Sequence, residues 1–157
     1  MAGVSIRQAS RDDLAAIVRC MAAAFSPYEA SHTPGAWQDT VLTIDGAEQR
    51  SREMTFLVAE LPSAGVVGTI AYSAADGGEG HLRGMAVDPT HQGAGIAERL
   101  LRQAEDDLRR AGCVRVTLDT TRPLRRAIRF YERSGYRATG MVCGFGMALV
   151  EYEKPLS

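Results

Sequence analysis

Gln92-Gly93-Ala94-Gly95-Ile96-Ala97 is the stretch of this sequence best suited to holding a charged ligand. The apolar run His81 to Val87 precedes it, Asp88-Pro89 breaks that run, and a helical pattern begins directly after the glycines. The first N–H groups of a helix have no intrahelical acceptor, and the aligned peptide dipoles add partial positive charge there. A strand that feeds a Gly-rich loop into a helix start is therefore an anion site. Glycines let a ligand approach the backbone and let φ become positive. The turn is expected to hold a phosphate-bearing ligand.

The elements that must position this loop follow from hydrophobic periodicity. Val4 to Arg7 reads as a first strand. Ser10 and Asp13 form a capping-box-like start to a helix whose apolar face is Leu14, Ile17, Val18, Met21 and Phe25. Pro27 ends it. Ser26 to Thr43 reads as a loop with short helical turns, and Asp45 and Glu48 as the caps of a short helix through Met54. Thr55 to Glu60 and Val66 to Ser73 read as a hairpin, followed by the strand His81 to Val87, with His81, Arg83, Met85 and Val87 on one face. The helix after the glycines places Ile96, Leu100, Leu101, Ala104 and Leu108 together and stops at Gly112. Val114, Val116 and Leu118 alternate in the next strand, so strand, helix and strand make a right-handed parallel crossover. A helix opened by Pro123 runs to Ser134, and strands at about 137–142 and 145–152 close the chain. The order β-α-α-β-β-β-α-β-α-β-β describes an α+β fold, a mixed sheet with helices on its faces.

Three kinds of anion-binding loop compete for these glycines. A P-loop needs Lys and a hydroxyl after its last glycine; Glu98-Arg99 stands there instead. A dinucleotide loop needs G-x-G-x-x-G directly after the strand; Glu98 takes the third glycine's place, and five residues separate Val87 from Gly93. The third fits. Val87-Asp88-Pro89-x-x-Gln92-Gly93-x-Gly95-Ile96-Ala97-x-x-Leu100-Leu101 resembles the acyl-CoA signature [QR]-x-x-G-x-[GA] of the GNAT N-acyltransferases. Ala127 to Tyr136, AIRFYERSGY, resembles that superfamily's next motif, a helix ending in Tyr-Glu-x-x-Gly-aromatic.

The resemblance implies a mostly antiparallel sheet flanked by helices, splayed between a parallel pair of central strands. It implies acetyl-CoA as acyl donor and a primary amine, on a small molecule or a peptide, as acceptor. The N–H groups of Gly93, Ala94, Gly95, Ile96 and Ala97 would hold the diphosphate, with Gln92 shaping the loop. Met85, Ala86 and Val87 would pair with the amide groups of the cofactor arm. Many relatives carry an asparagine three residues before the position of Ala127, where this chain has Leu124; that contact is expected to be missing or supplied otherwise, by Thr120, Thr121 or Arg125.

Acyl transfer to an amine needs a base for the ammonium proton, a donor for the growing oxyanion and a proton for the departing thiolate. Spacing alone makes Tyr131 a core residue beside Leu124, Ala127 and Ile128; the family pattern makes it the thiolate's proton donor. His81 is a candidate base and Glu79 its neighbouring alternative. Tyr28, Glu29 and His32 occupy the family's variable acceptor region, and Asp119 is placed to bind a substrate ammonium. Arg122, Arg125, Arg126 and Arg129 form a basic cluster from which one or two side chains could meet the 3′-phosphate of CoA.

The 157 residues suit one domain, residues 1–157. Their 18 basic and 19 acidic side chains argue against nucleic acid or a membrane as partner. Three cysteines without CxxC spacing read as small packing residues of a cytoplasmic protein, and no metal-ligand spacing is seen. The start of the chain does not read as a secretory signal. Pairing through the late strands makes a homodimer a further expectation. The alternative from another class is a non-catalytic acyl-CoA-binding regulator on the same fold.

Overall fold

The computed structural model describes residues 3–157. Strand β1 (Ser5–Gln8) leads through a 3-10 turn (Arg11–Asp13) into α1 (Leu14–Phe25). The Ser10 N–H donates to Asp13 Oδ2 at 2.7 Å, closing the helix start as the Ser10/Asp13 spacing predicts. A second 3-10 stretch (Ser26–Ser31) precedes α2 (Pro34–Thr40) and α3 (Ile44–Glu53). The loop with short helical turns expected here contains a 3-10 stretch and one two-turn α-helix. Thr33 caps it by accepting the Ala36 N–H at 3.2 Å, and Pro34 sits where its missing N–H goes unneeded. Thr43, and neither Asp45 nor Glu48, caps α3: its hydroxyl accepts the Gly46 N–H at 3.0 Å, whereas Asp45 already lies inside the first turn. Thr43→Ala should lower stability by about 1 kcal/mol, read as a shift of the urea midpoint at unchanged slope.

The remaining elements are β2 (Thr55–Leu61), β3 (Gly65–Ala75), β4 (Glu79–Val87), α4 (Ile96–Arg110), β5 (Arg115–Thr121), α5 (Arg125–Arg133), β6 (Arg137–Gly144) and β7 (Met147–Pro155). Helix α5 begins two residues after Pro123, because Leu124 has a non-helical ψ of 63°. The sheet order is β1-β2-β3-β4-β5-β7-β6, antiparallel throughout except for β4 and β5. The fold is the α+β arrangement expected.

Alternation along β2 shows how the sheet divides two cores. Leu57 and Ala59 face α4, where Leu100, Ala104 and Leu108 are fully buried against Ile70, Leu82 and Val116. Phe56 and Val58 face α1, against Ile17 and Met21. Each such large side chain contributes roughly 1.5–3 kcal/mol on removal from water. Buried Glu105 ties α4 to the sheet, accepting from the Tyr136 hydroxyl at 2.7 Å and from Lys154 Nζ at 3.1 Å. Cys20 and Cys113 are buried, but Cys143 is exposed, because β6 is an outer strand and is exposed along almost its whole length. No helix among the described residues is long and apolar enough to cross a membrane.

Two irregularities in β4 open and orient the space beside it. The strand pairs with β5 only at Glu79, Gly80 and His81; from Leu82 onward the two strands part. Its register against β3 also shifts between Thr69 and Ala71, opposite Gly84. Gly84 has φ +67°, and a Cβ there would meet Arg50 Nη1 and Met21 Cε, each at 3.1 Å. Residues 83 and 84 therefore both point toward the α1 and α3 side, and the alternation flips. His81 and Arg83 share that side, while Met85 and Val87 pack with the α4 core. The single face expected for all four residues is thus broken by a β-bulge, which inserts one extra residue and reverses the alternation beyond it.

Candidate active site

The loop from Asp88 to Gly95 turns sharply into α4. Gln92 folds its side chain back and donates from Nε2 to the Val87 carbonyl at 3.1 Å. Gly93 and Gly95 have φ of +83° and +82°, and nothing lies within 4 Å of where a Cβ would stand. Arg99 is the first residue after the loop whose N–H finds a backbone acceptor outside regular helix pairing, the Gly95 carbonyl at 3.2 Å. Among the described residues, the N–H groups of Gly93 through Glu98 have no protein acceptor. Unpaired donors at an open cradle fit an anion with several oxygens.

A groove of about 420 Å³ starts at this cradle. Gly93, Gly95, Ile96 and Ala97 line its loop end; Ala94 does not. Met85, Ala86 and Val87 line the strand that has parted from β5. Arg126, Arg129 and Arg133 of α5 form a basic wall, and among the described residues none of the three has a carboxylate partner. Arg122 and Arg125 of the sequence cluster lie outside the groove, and Arg133, not singled out by spacing, lies in it.

On the other side of the splay lies a smaller cavity of about 80 Å³. It is bordered by Asp39 from α2, Arg50 from α3, Arg83 from β4, Asp119 from β5, and Phe145 and Leu149 from the last hairpin. Phe25, Met85, Leu124, Ala127 and Tyr131 line both spaces, so groove and cavity meet at these side chains. Tyr131 is 6% exposed, packs edge-on to Tyr136 at 5.8 Å, and its hydroxyl has no hydrogen-bond partner among the described residues. Burial holds its phenol well above the ordinary tyrosine range, so the proton is retained. Leu124 fills the place of the family's usual asparagine with an apolar side chain, and the hydroxyl of Thr121 is already engaged by His32.

The other residues singled out from the sequence divide clearly. His81 lies where β4 and β5 are still paired and borders neither the groove nor the cavity; its Nδ1 and the Thr117 hydroxyl share a hydrogen bond of 2.9 Å. Burial lowers its pKa below the ordinary imidazole value, partly offset by the nearby charge of Asp119. Glu79 is ion-paired with Arg115 at 2.5 Å and borders neither space. Tyr28 lines the groove. Glu29 is exposed and lines nothing. His32 is a staple: Nδ1 meets the Tyr28 carbonyl and Nε2 the Thr121 hydroxyl, each at 2.8 Å, and its ring stands edge-on to Trp37. Asp39, Arg50 and Arg83 carry no local sequence signal, because three separate elements bring them together. The lone Gly84 within a strand pattern was the one available sign of the bulge.

Residues 18–136, which include both motifs and the splayed strands, match the Acetyltransferase (GNAT) family. The chain belongs to this family. Among GNAT relatives, an IAA acetyltransferase of Azospirillum brasilense is 35% identical over 107 residues, covering 66% of this chain and 69% of that protein. A glucosamine 6-phosphate N-acetyltransferase of Trypanosoma brucei brucei is 36% identical over 59 residues, and the match spans 38% of each protein. The solved structure of yncA from Salmonella typhimurium, which holds its cofactor acetyl-CoA, superposes with a TM-score of 0.72 at 24% identity, covering 99% of this chain and 95% of that one. The matched residues include both the glycine loop, Gln92 to Ala97, and the helix that carries Tyr131.

Proposed function

We propose that residues 1–157 act as a single cytoplasmic domain that moves the acetyl group of acetyl-CoA to a primary amine by direct attack in a ternary complex. The observation that carries this reading is the meeting of two spaces, a cradle-ended groove and a polar cavity, at Met85 and Tyr131. The residues fit the donor: unpaired N–H groups at 93–98 suit a diphosphate, and the Arg126, Arg129 and Arg133 wall suits the remaining phosphate. Acetyl-CoA supplies an activated thioester. The free edge of β4 from Met85 to Val87 pairs with the arm's amides and aims an N–H at the carbonyl oxygen as charge grows there. Tyr131 gives its proton to the departing sulfur. Asp119, which has no side-chain partner among the described residues, draws the ammonium in. His81, which borders neither space itself, takes the amine's proton through water, while Glu79 is held by Arg115. The acceptor is an amine on a small molecule or a peptide. The outer strand β6 exposes Met141 and Val142, and a homodimer paired there belongs to the same proposal.

Acetyl-CoA at 100 times its Kd should stabilise the fold by about 2.7 kcal/mol and raise the melting temperature, while NADH leaves it unmoved. Thiol release over a panel of amines then reads the reaction. Saturable CoA binding with no release for any amine would make the chain a binding regulator.

The pH profile tests His81. Burial disfavours the imidazolium, so activity should rise with pH through a midpoint below about 6.5, as His81 loses its proton. His81→Ala should remove that acid limb and lower kcat roughly 10- to 100-fold. An unchanged profile in the variant removes His81 from the mechanism.

A further inference from the structure

Among the buried charged side chains Asp13, Arg50 and Glu105, Arg50 has the longest polar contacts. It enters the smaller cavity from α3, is 6% exposed, and its Nη1 lies 3.1 Å from where a Cβ at Gly84 would stand. Its Nη2 meets the Asp39 backbone oxygen at 3.4 Å and Asp39 Oδ1 at 3.5 Å, both at the limit of hydrogen bonding. Among the described residues, its Nε and Nη1 have no acceptor. The same Asp39 oxygen takes a much closer bond from Arg83 Nη2. One carboxylate thus serves two guanidiniums, and it favours Arg83. Burial and the repulsion of Arg83 both push the Arg50 pKa down, as expected of an under-compensated cation. No fully buried side-chain nitrogen among the described residues lacks a partner, so these free donors open onto the cavity, where a ligand can complete them. Asp119 borders the same cavity and gives it a second, negative pole.

We propose that the acceptor amine carries an anionic group of its own, a carboxylate or a phosphate, which docks between Arg50 and Arg83 while the amine lies toward Asp119 and Tyr131. This rests on the acetyltransferase reading and narrows its substrate class. The planar guanidinium fork suits two oxygens at once. An acceptor without an anionic group leaves the Arg50 Nε and Nη1 without an acceptor, so the cavity discriminates against it by about 10- to 100-fold.

Thiol release is followed with matched acceptors: an α-amino acid against its carboxamide, and an amino-sugar phosphate against the unphosphorylated sugar. In at least one pair the anionic member should have a kcat/KM about 10- to 100-fold higher, and the responding pair tells carboxylate from phosphate. Arg83→Gln should erase most of that preference, with the melting-temperature rise given by coenzyme A intact. Arg83 carries the substitution because its side chain is 34% exposed, whereas loss of buried Arg50 can unfold the chain. Equal kcat/KM within both pairs overturns the proposal. As a second arm, inorganic phosphate and acetate are titrated by calorimetry into protein saturated with coenzyme A, whose own phosphates then fill the groove. Binding that R83Q abolishes supports the anion site even if no amine is acetylated, an outcome that sinks the acetyltransferase reading alone. No heat from either anion, together with no acceptor preference, overturns the anion site.

Discussion

Replacing Tyr131 with Phe should lower kcat about 100-fold or more while leaving the KM for acetyl-CoA within about twofold. The substitution deletes one oxygen and keeps the ring. The ring packs against Tyr136 and belongs to the α4-side core, so the fold loses almost nothing. The hydroxyl leaves no orphaned partner behind, because no protein group among the described residues bonds it. What disappears is a proton source at the point where groove and cavity meet. A thiolate that must depart without a proton is a poor leaving group, and the whole loss falls on the chemical step. The phenol is held protonated by burial, so the wild-type rate should show no fall from its ionisation below about pH 10, the ordinary tyrosine value. Steady-state thiol release at saturating acetyl-CoA reads both numbers. Equal rates for the two proteins would remove Tyr131 from the reaction.

Gly95→Ala should weaken acetyl-CoA binding about 100-fold, as one or two charge-assisted bonds from the cradle to the diphosphate are lost. In the ligand-free fold the new methyl meets nothing within 4 Å, so the protein itself has room for it. The ligand does not, since the methyl stands at the mouth of the cradle. Backbone strain is the competing explanation: φ is +82°, a region that costs an L-residue roughly 1–2 kcal/mol. Gly77 supplies the control. It has the same φ of +82°, an equally open Cβ position, and lies in the turn before β4, outside the groove. Gly77→Ala should match the stability loss of Gly95→Ala in a denaturant titration and leave the calorimetric affinity for coenzyme A untouched. Equal losses of affinity in both variants would mean that strain, and not the cradle, explains the effect.

Local order was written along the chain. Period-2 and period-3.6 patterns gave the strands and the long helices, since burial on one face needs no more than the neighbours in sequence. Two glycines between a strand and a helix gave the anion cradle, because unpaired N–H groups at a helix start follow from backbone geometry alone. The second motif marked Tyr131. Helix α2 was hidden because two prolines and a glycine in its region argue locally for loop, while its N-cap and tertiary packing make it helix. The face reversal in β4 was hidden because alternation predicts one face until a bulge breaks it, and Arg50's guanidinium and the methyl of Met21 occupy the space that Gly84 leaves open.

The sequence by itself therefore determined the α+β order of elements, the glycine turn with its unpaired N–H groups and the place of Tyr131 in the second motif, all properties of contiguous residues. Tertiary structure alone decided the smaller cavity proposed for the acceptor. Asp39, Arg50, Arg83 and Asp119 come from four elements, and only the splay of β4 from β5 opens a cavity between them. Charges separated by tens of residues leave no periodic trace, and they come to border one cavity only once the chain has folded.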